Sequence, residues 1–118
     1  VYWSDNLAGK VQRAKIGGSL VEDVVANLSY PQGLALDAAN GKLYWTDSGT
    51  FKLQRAGLDG SIPEDVFPAR LKDPYAVAVD PSSGALYWSS VGTSYDRKKG
   101  PSDAGTTGRI QRSALDGS

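Results

Sequence analysis

Hydrophobic residues along this chain fall in short runs cut by Gly, Pro and Asp, and no segment shows the 3.6-residue rhythm of a helix. Leu34-Ala35-Leu36 and Val77-Ala78-Val79 are apolar without alternation, which suits a strand covered on both faces. Each run ends in an Asp, Asp37 or Asp80, and then in small residues and a Gly. That is hairpin-turn chemistry, with Gly supplying positive φ at low cost. Residues 42–46 are rich in β-formers. A loop around Ser48-Gly49-Thr50 leads to an alternating, half-polar strand at 52–56. Asp59-Gly60 and Asp116-Gly117 are two-residue hairpin signals, with Gly17-Gly18 as their first copy. The runs Leu20 to Val25 and Ile62 to Phe67 follow these turns, and Pro63 places such a strand at a sheet edge.

The pattern repeats. Tyr44-Trp45-Thr46-Asp47 stands 42 residues after Tyr2-Trp3-Ser4-Asp5, and Tyr87-Trp88-Ser89-Ser90 follows 43 residues later. Gln12-Arg13-Ala14 returns as Gln54-Arg55-Ala56 and as Gln111-Arg112-Ser113. Pro31-Gln32-Gly33-Leu34-Ala35-Leu36-Asp37 matches Pro74-Tyr75-Ala76-Val77-Ala78-Val79-Asp80. A period of this length marks one supersecondary unit stacked on its neighbours. Each period holds four antiparallel strands: an apolar inner one, the Tyr-Trp strand, an alternating one and a polar outer edge. Four-stranded units of about 40–50 residues are β-propeller blades. The fold class expected is therefore all-β, about two and a half blades of four antiparallel strands. The copies run at about 1–41, 42–84 and 85–118, and the third carries an insertion at 92–108.

These motifs resemble the YWTD repeat, the low-density-lipoprotein-receptor class B repeat, over essentially the whole chain apart from the insertion. The resemblance implies a six-bladed, non-catalytic propeller that binds a protein or peptide ligand at the cell surface or outside the cell. It implies structural roles for Tyr2, Trp3, Asp5, Tyr44, Trp45, Asp47, Tyr87 and Trp88, the aromatics packing between blades and Asp47 tying its blade to the next. Ser90 departs from the pattern, so the third copy lacks that carboxylate. Arg13, Arg55 and Arg112 are expected partners for acidic groups. Two and a half blades cannot close a ring and leave apolar blade faces open. Either the sequence is a piece of a longer chain, whose remaining blades are its partners, or further copies of itself complete the ring.

Composition narrows the function further. The 118 residues carry a formal net charge of zero, so the whole-domain basic footprint of a nucleic-acid binder is absent. No apolar run approaches the ~20 residues of a membrane span. His, Cys and Met are missing altogether, which removes the usual zinc, haem and copper ligands and His-based triads. No cofactor is expected.

Candidate ligand-binding residues are Tyr30, Gln32, Phe51 and Tyr75 on the loop-rich end, with Tyr95, Arg97, Lys98 and Lys99 in the insertion. Segments 48–51 and 72–75 belong to the same face. The insertion is also rich in Gly, Ser and Thr, the composition of a plain surface loop, against a recognition loop on a rigid scaffold. Glu22-Asp23 and Glu64-Asp65 are read as charges guarding an outer edge, Asp37 and Asp80 as turn residues, and Asn27-Leu28-Ser29 as a glycosylation sequon. Two other function classes stay open: a lactonase- or hydrolase-like six-bladed propeller with an axial metal, and a self-assembling structural repeat without ligand.

Overall fold

The computed structural model describes residues 1–91, 95–96, 100–101 and 108–118. Its first sheet holds β1 (Tyr2–Asp5), β2 (Lys10–Arg13) and β3 (Glu22–Val25). The middle sheet holds β4 (Pro31–Asp37), β5 (Lys42–Asp47), β6 (Lys52–Gly57) and β7 (Glu64–Asp65) in sequential order. Two short strands, β10 (Tyr95–Asp96) and β11 (Gly100–Pro101), pair within the insertion. The third sheet joins β8 (Pro74–Asp80), β9 (Ala85–Ser90) and β12 (Arg109–Ala114) in the order β12-β9-β8. All three main sheets are antiparallel. The first therefore lacks an inner strand and the third an outer one, as the repeat pattern implied for a partial propeller. Each blade is offset from the sequence period, because β4 precedes the Tyr-Trp strand it pairs with.

The inner strands begin earlier than their apolar centres suggest, because Pro31 pairs with Asp47 and Pro74 with Ser90, each followed by a register shift. The outer strands are shorter than the runs 20–25 and 62–67. Leu20 (φ 57°) and Ile62 (φ 50°) are left-handed, a conformation that stops a strand, and Pro63 has no N–H to give. Val66 and Phe67 turn inward instead, Val66 buried and the Phe67 ring 4.7 Å from that of Trp88.

Two apolar clusters hold the blades together, one at each joint. Val11 of the first sheet packs with Leu43, Trp45 and Ala56 of the middle sheet. Tyr44, Leu53 and Val66 of the middle sheet pack with Val77, Leu86 and Trp88 of the third. The joints also share polar contacts. Tyr2 Oη (2.9 Å) and an Arg13 guanidinium nitrogen (3.0 Å) both donate to the Leu58 carbonyl of the next blade. Tyr44 (3.5 Å) and Arg55 (2.8 Å) do the same to Leu115. Nearer the axis, Ser4 donates to the Gln32 carbonyl at 2.7 Å and Thr46 to the Tyr75 carbonyl at 2.6 Å. The third motif position thus works between blades.

Candidate functional site

Strand register decides which residues share an end of the molecule. Asp47 closes β5 opposite Pro31, which opens β4, and Lys52, which opens β6. Ser90 stands in the same relation to Pro74 and Arg109. Turns 6–9 and 48–51 and the crossovers 26–30 and 66–73 therefore all lie at one end, as do Ser90 and Arg109.

Asp47 organises that end. Its carboxylate accepts the N–H of Ser29 and Tyr30 at 2.9 Å each, and those of Gly49 at 2.9 Å and Thr50 at 3.1 Å. It is buried, and four donors satisfy its charge. The expected link to the next blade runs the other way: Ser29 and Tyr30 belong to the crossover arriving from the preceding blade. A side chain at the end of β5 meets that crossover because β4 starts beside it. Among the described residues, Asp5 accepts only from Leu7 and Ala8 in its own turn. Ser90 is buried, and its hydroxyl finds no partner among the described residues.

On this frame stand exposed aromatic groups. Tyr30 is 40% and Tyr75 52% exposed, each beside the proline that opens an inner strand. Gln32, two residues beyond Tyr30, is half-buried, and its carbonyl is taken by Ser4. Phe51 sits in the turn after Asp47 with φ 59°, a conformation costly for a bulky residue. The matching position in the first blade is Gly9, at φ 66°. Gly9 O accepts from Leu28 N at 2.9 Å, as Phe51 O does from Leu71 N at 2.8 Å. The exposed Arg70 guanidinium lies 5.3 Å from the Phe51 ring centre, a cation–π contact. Arg70 was not among the sequence candidates. Its only signal was a basic residue in a crossover, and nothing in the sequence places it over Phe51.

The other candidates scatter. Tyr95 belongs to β10, while Arg97, Lys98 and Lys99 lie outside the described residues. Asn27 is exposed on the first crossover with φ 60°. Tyr2, Trp3, Tyr44, Trp45, Tyr87 and Trp88 line the blades, with Trp45 and Trp88 buried and Trp3 half-buried. The acidic pairs are engaged along the outer edges. Arg13 bonds Glu22 and Arg55 bonds Glu64, while Lys10 reaches Asp23 at 2.7 Å and Lys52 reaches Asp65 at 2.9 Å. Lys10, then the Gln12 amide, holds the Asp23 carboxyl below its usual range, and Lys52 does the same for Asp65. Such exposed pairs contribute little to stability individually. Asp37 is buried and accepts from Asn40 N and Nδ2 inside its hairpin. Among the described residues, no three His, Cys, Asp or Glu side chains cluster as a metal site would require, and no helix is long and apolar enough to cross a membrane. A cleft of about 480 Å³ lies on the first sheet, lined by Tyr2, Arg13 and Glu22 among others. None of the end-face aromatics lines it, so a cleft alone does not mark the site.

Residues 41–81 match the family described as low-density lipoprotein receptor repeat class B. The nidogen propeller in a crystal structure of a nidogen/laminin complex superposes with a TM-score of 0.79 at 29% identity, over 99% of this chain and 40% of that one. A gluconolactonase from Xanthomonas campestris superposes with a TM-score of 0.63 at 24% identity, over 92% of this chain and 32% of that one. At that identity the likeness shows the fold alone. No curated protein sequence matches the chain. This sequence thus spans well under half of each of these structural neighbours, and it carries a low-density lipoprotein receptor class B, or YWTD, repeat within part of a β-propeller.

Proposed function

We propose that the chain is part of a non-catalytic, extracellular, receptor-type propeller that binds a protein or peptide partner on the end built around Asp47. The observation that carries this reading is the juxtaposition of Tyr30, Tyr75 and the Arg70-capped Phe51 on one rigid end. Aromatic and Arg side chains are the groups that dominate binding energy at protein interfaces. Phe51 adds a second argument, since a left-handed turn that glycine fills in the first blade holds a large aromatic ring here. Strained positions of this kind cluster at functional sites. The laminin partner of the similar nidogen structure belongs to that protein; it is simply the first extracellular protein to try.

The test presents laminin, a panel of extracellular proteins and a displayed random-peptide library to the immobilised chain. The expected binders compete with one another and lose at least tenfold in affinity to Phe51→Gly and to Tyr75→Ala. Phe51→Gly also relieves the left-handed backbone strain, so its melting temperature should hold or rise while binding falls. Binders indifferent to both substitutions would move the site away from this end. An absence of any binder from all three sources would remove the receptor reading.

A further inference from the structure

The first two blades build the turn after the Tyr-Trp strand in the same way, and the comparison isolates what is particular to the second. Gly9 O accepts from Leu28 N as Phe51 O accepts from Leu71 N, so Asn27 on the first crossover corresponds to Arg70 on the next. Gly9 and Phe51 are both left-handed, at φ 66° and 59°. A Cβ on Gly9 would run into the Leu28 carbonyl oxygen, so the first crossover leaves no room for a side chain. The second crossover makes that room. There the counterpart of Asn27 is an Arg whose guanidinium lies 5.3 Å from the Phe51 ring centre. Ring and cation thus arrive together, and the fold needs neither, because the first blade closes the same turn without them.

The cation has no anion of its own. Among the described residues the ion pairs are Lys10–Asp23, Arg13–Glu22, Lys52–Asp65 and Arg55–Glu64. Arg70 and Lys72, both exposed on the same crossover, join none of them. Asp47 is buried under four backbone donors, Asp65 is held by Lys52, and Asp73 takes part in no described ion pair. An Arg lying against a ring still has its planar fork of N–H donors to give, and that fork matches a carboxylate bidentately. The ring also holds the guanidinium in place, so less freedom is lost when a partner binds it.

We infer that this turn takes an acidic side chain: a Glu or Asp of the protein or peptide partner pairs with the Arg70 guanidinium over Phe51, and Lys72 adds to the attraction. The inference rests on the binding reading above and names the chemistry of the partner. Turn and crossover belong to the middle blade and to the connection that leaves it, and both halves of the contact lie within the described residues.

A displayed random-peptide library is selected on the wild-type chain, and the binders are made as amidated peptides that lack a C-terminal carboxylate. They should carry a Glu or Asp at one fixed position. Changing that residue to Gln or Asn should weaken binding about tenfold on the wild-type chain and hardly at all on Arg70→Gln, the coupling of a direct charge pair. Added salt should weaken wild-type binding more than that of Arg70→Gln. Arg70→Glu should instead favour peptides with Lys at the same position. Arg70 is exposed, so these variants should keep the wild-type circular dichroism, which separates recognition from folding. A protein binder from laminin or the panel is put through the same cycle at its acidic residues. Binders that ignore Arg70→Gln would overturn the inference, and if they still lose affinity to Phe51→Gly the binding reading stands. The absence of any binder from every source would overturn both.

Discussion

Leu53 in the middle sheet and Ile110 in the third occupy the same register, opposite Thr46 and Ser89 of their Tyr-Trp strands. One is sealed in a core and the other stands in solvent. The residues and strands are nearly alike, so the local pattern does not decide burial. The following blade does. In a stacked fold a core exists only where two units meet, and each unit's contribution is half an interface. The same lesson holds at the end of the Tyr-Trp strand. Asp47 collects four backbone donors because an arriving crossover and its own turn converge on it, while Ser90, in the same place one blade on, is a buried hydroxyl without a described partner.

The sharpest way to break the comparison is truncation at the matched apolar positions. Leu53→Ala should cost about 3–4 kcal/mol, as expected for a large-to-small change in a packed joint. Ile110→Ala should stay within about 0.5 kcal/mol in dilute monomer, as surface changes do. Denaturant melts measure both, and equal losses would mean that the third sheet is covered in solution.

Asp47→Ala should cost about 2–3 kcal/mol, because it strips a buried charge-assisted set and leaves backbone donors unmatched. Ser90→Ala should be neutral within about 0.5 kcal/mol, since the hydroxyl it removes has no described partner to lose. A costly Ser90→Ala would point to a bonded hydroxyl at that site.

A third contrast lies along the inner strands, where Gly33 matches Ala76. A Cβ at Gly33 would stand 2.7 Å from the Tyr75 carbonyl oxygen and 2.8 Å from Ala76 Cα and Val77 N, backbone that cannot swing aside. Gly33→Ala should therefore prise the second joint apart at a cost of about 2 kcal/mol, in the range of overpacking. Ala76 is exposed, and Ala76→Ser should be silent. Hydrogen exchange at the backbone amides of β8 would localise the loosened joint.

The smallest effect concerns the two hairpin aspartates. Asp37 is buried against Asn40, while Asp80 accepts from the hydroxyls and N–H groups of Ser82 and Ser83. Those bonds, Ser82 first, hold the Asp80 carboxyl down at about 2, from an ordinary 3.8. A carboxyl lowered by folding contributes stability that is complete above the unfolded value and fades as pH falls through the folded one. The contribution of Asp80 is thus in place above pH 4 and gone near pH 2, and Ser82→Ala should raise the carboxyl toward its ordinary value. Titration of the side-chain carboxyl by NMR reads this directly, and an unmoved value would mean that the Ser83 hydroxyl suffices alone.

The sequence by itself determined the repeat and the strand order. These rest on period, on β-forming runs and on Gly- and Asp-containing turns, all of which act over a few residues. It marked Tyr30, Phe51 and Tyr75 as sharing one end, because strand direction alone assigns that. It did not reveal the backward reach of Asp47, the Arg70–Phe51 contact, the use of Leu58 and Leu115 carbonyls as inter-blade acceptors, or the backbone contact that requires glycine at Gly33. Each of these joins residues from different blades or crossovers. Backbone carbonyls carry no residue-specific mark, and the distance between two strands in different sheets is fixed only when the blades pack. Local chemistry wrote the blades, and the meeting of their faces decided which of the repeated residues are core, clamp or surface.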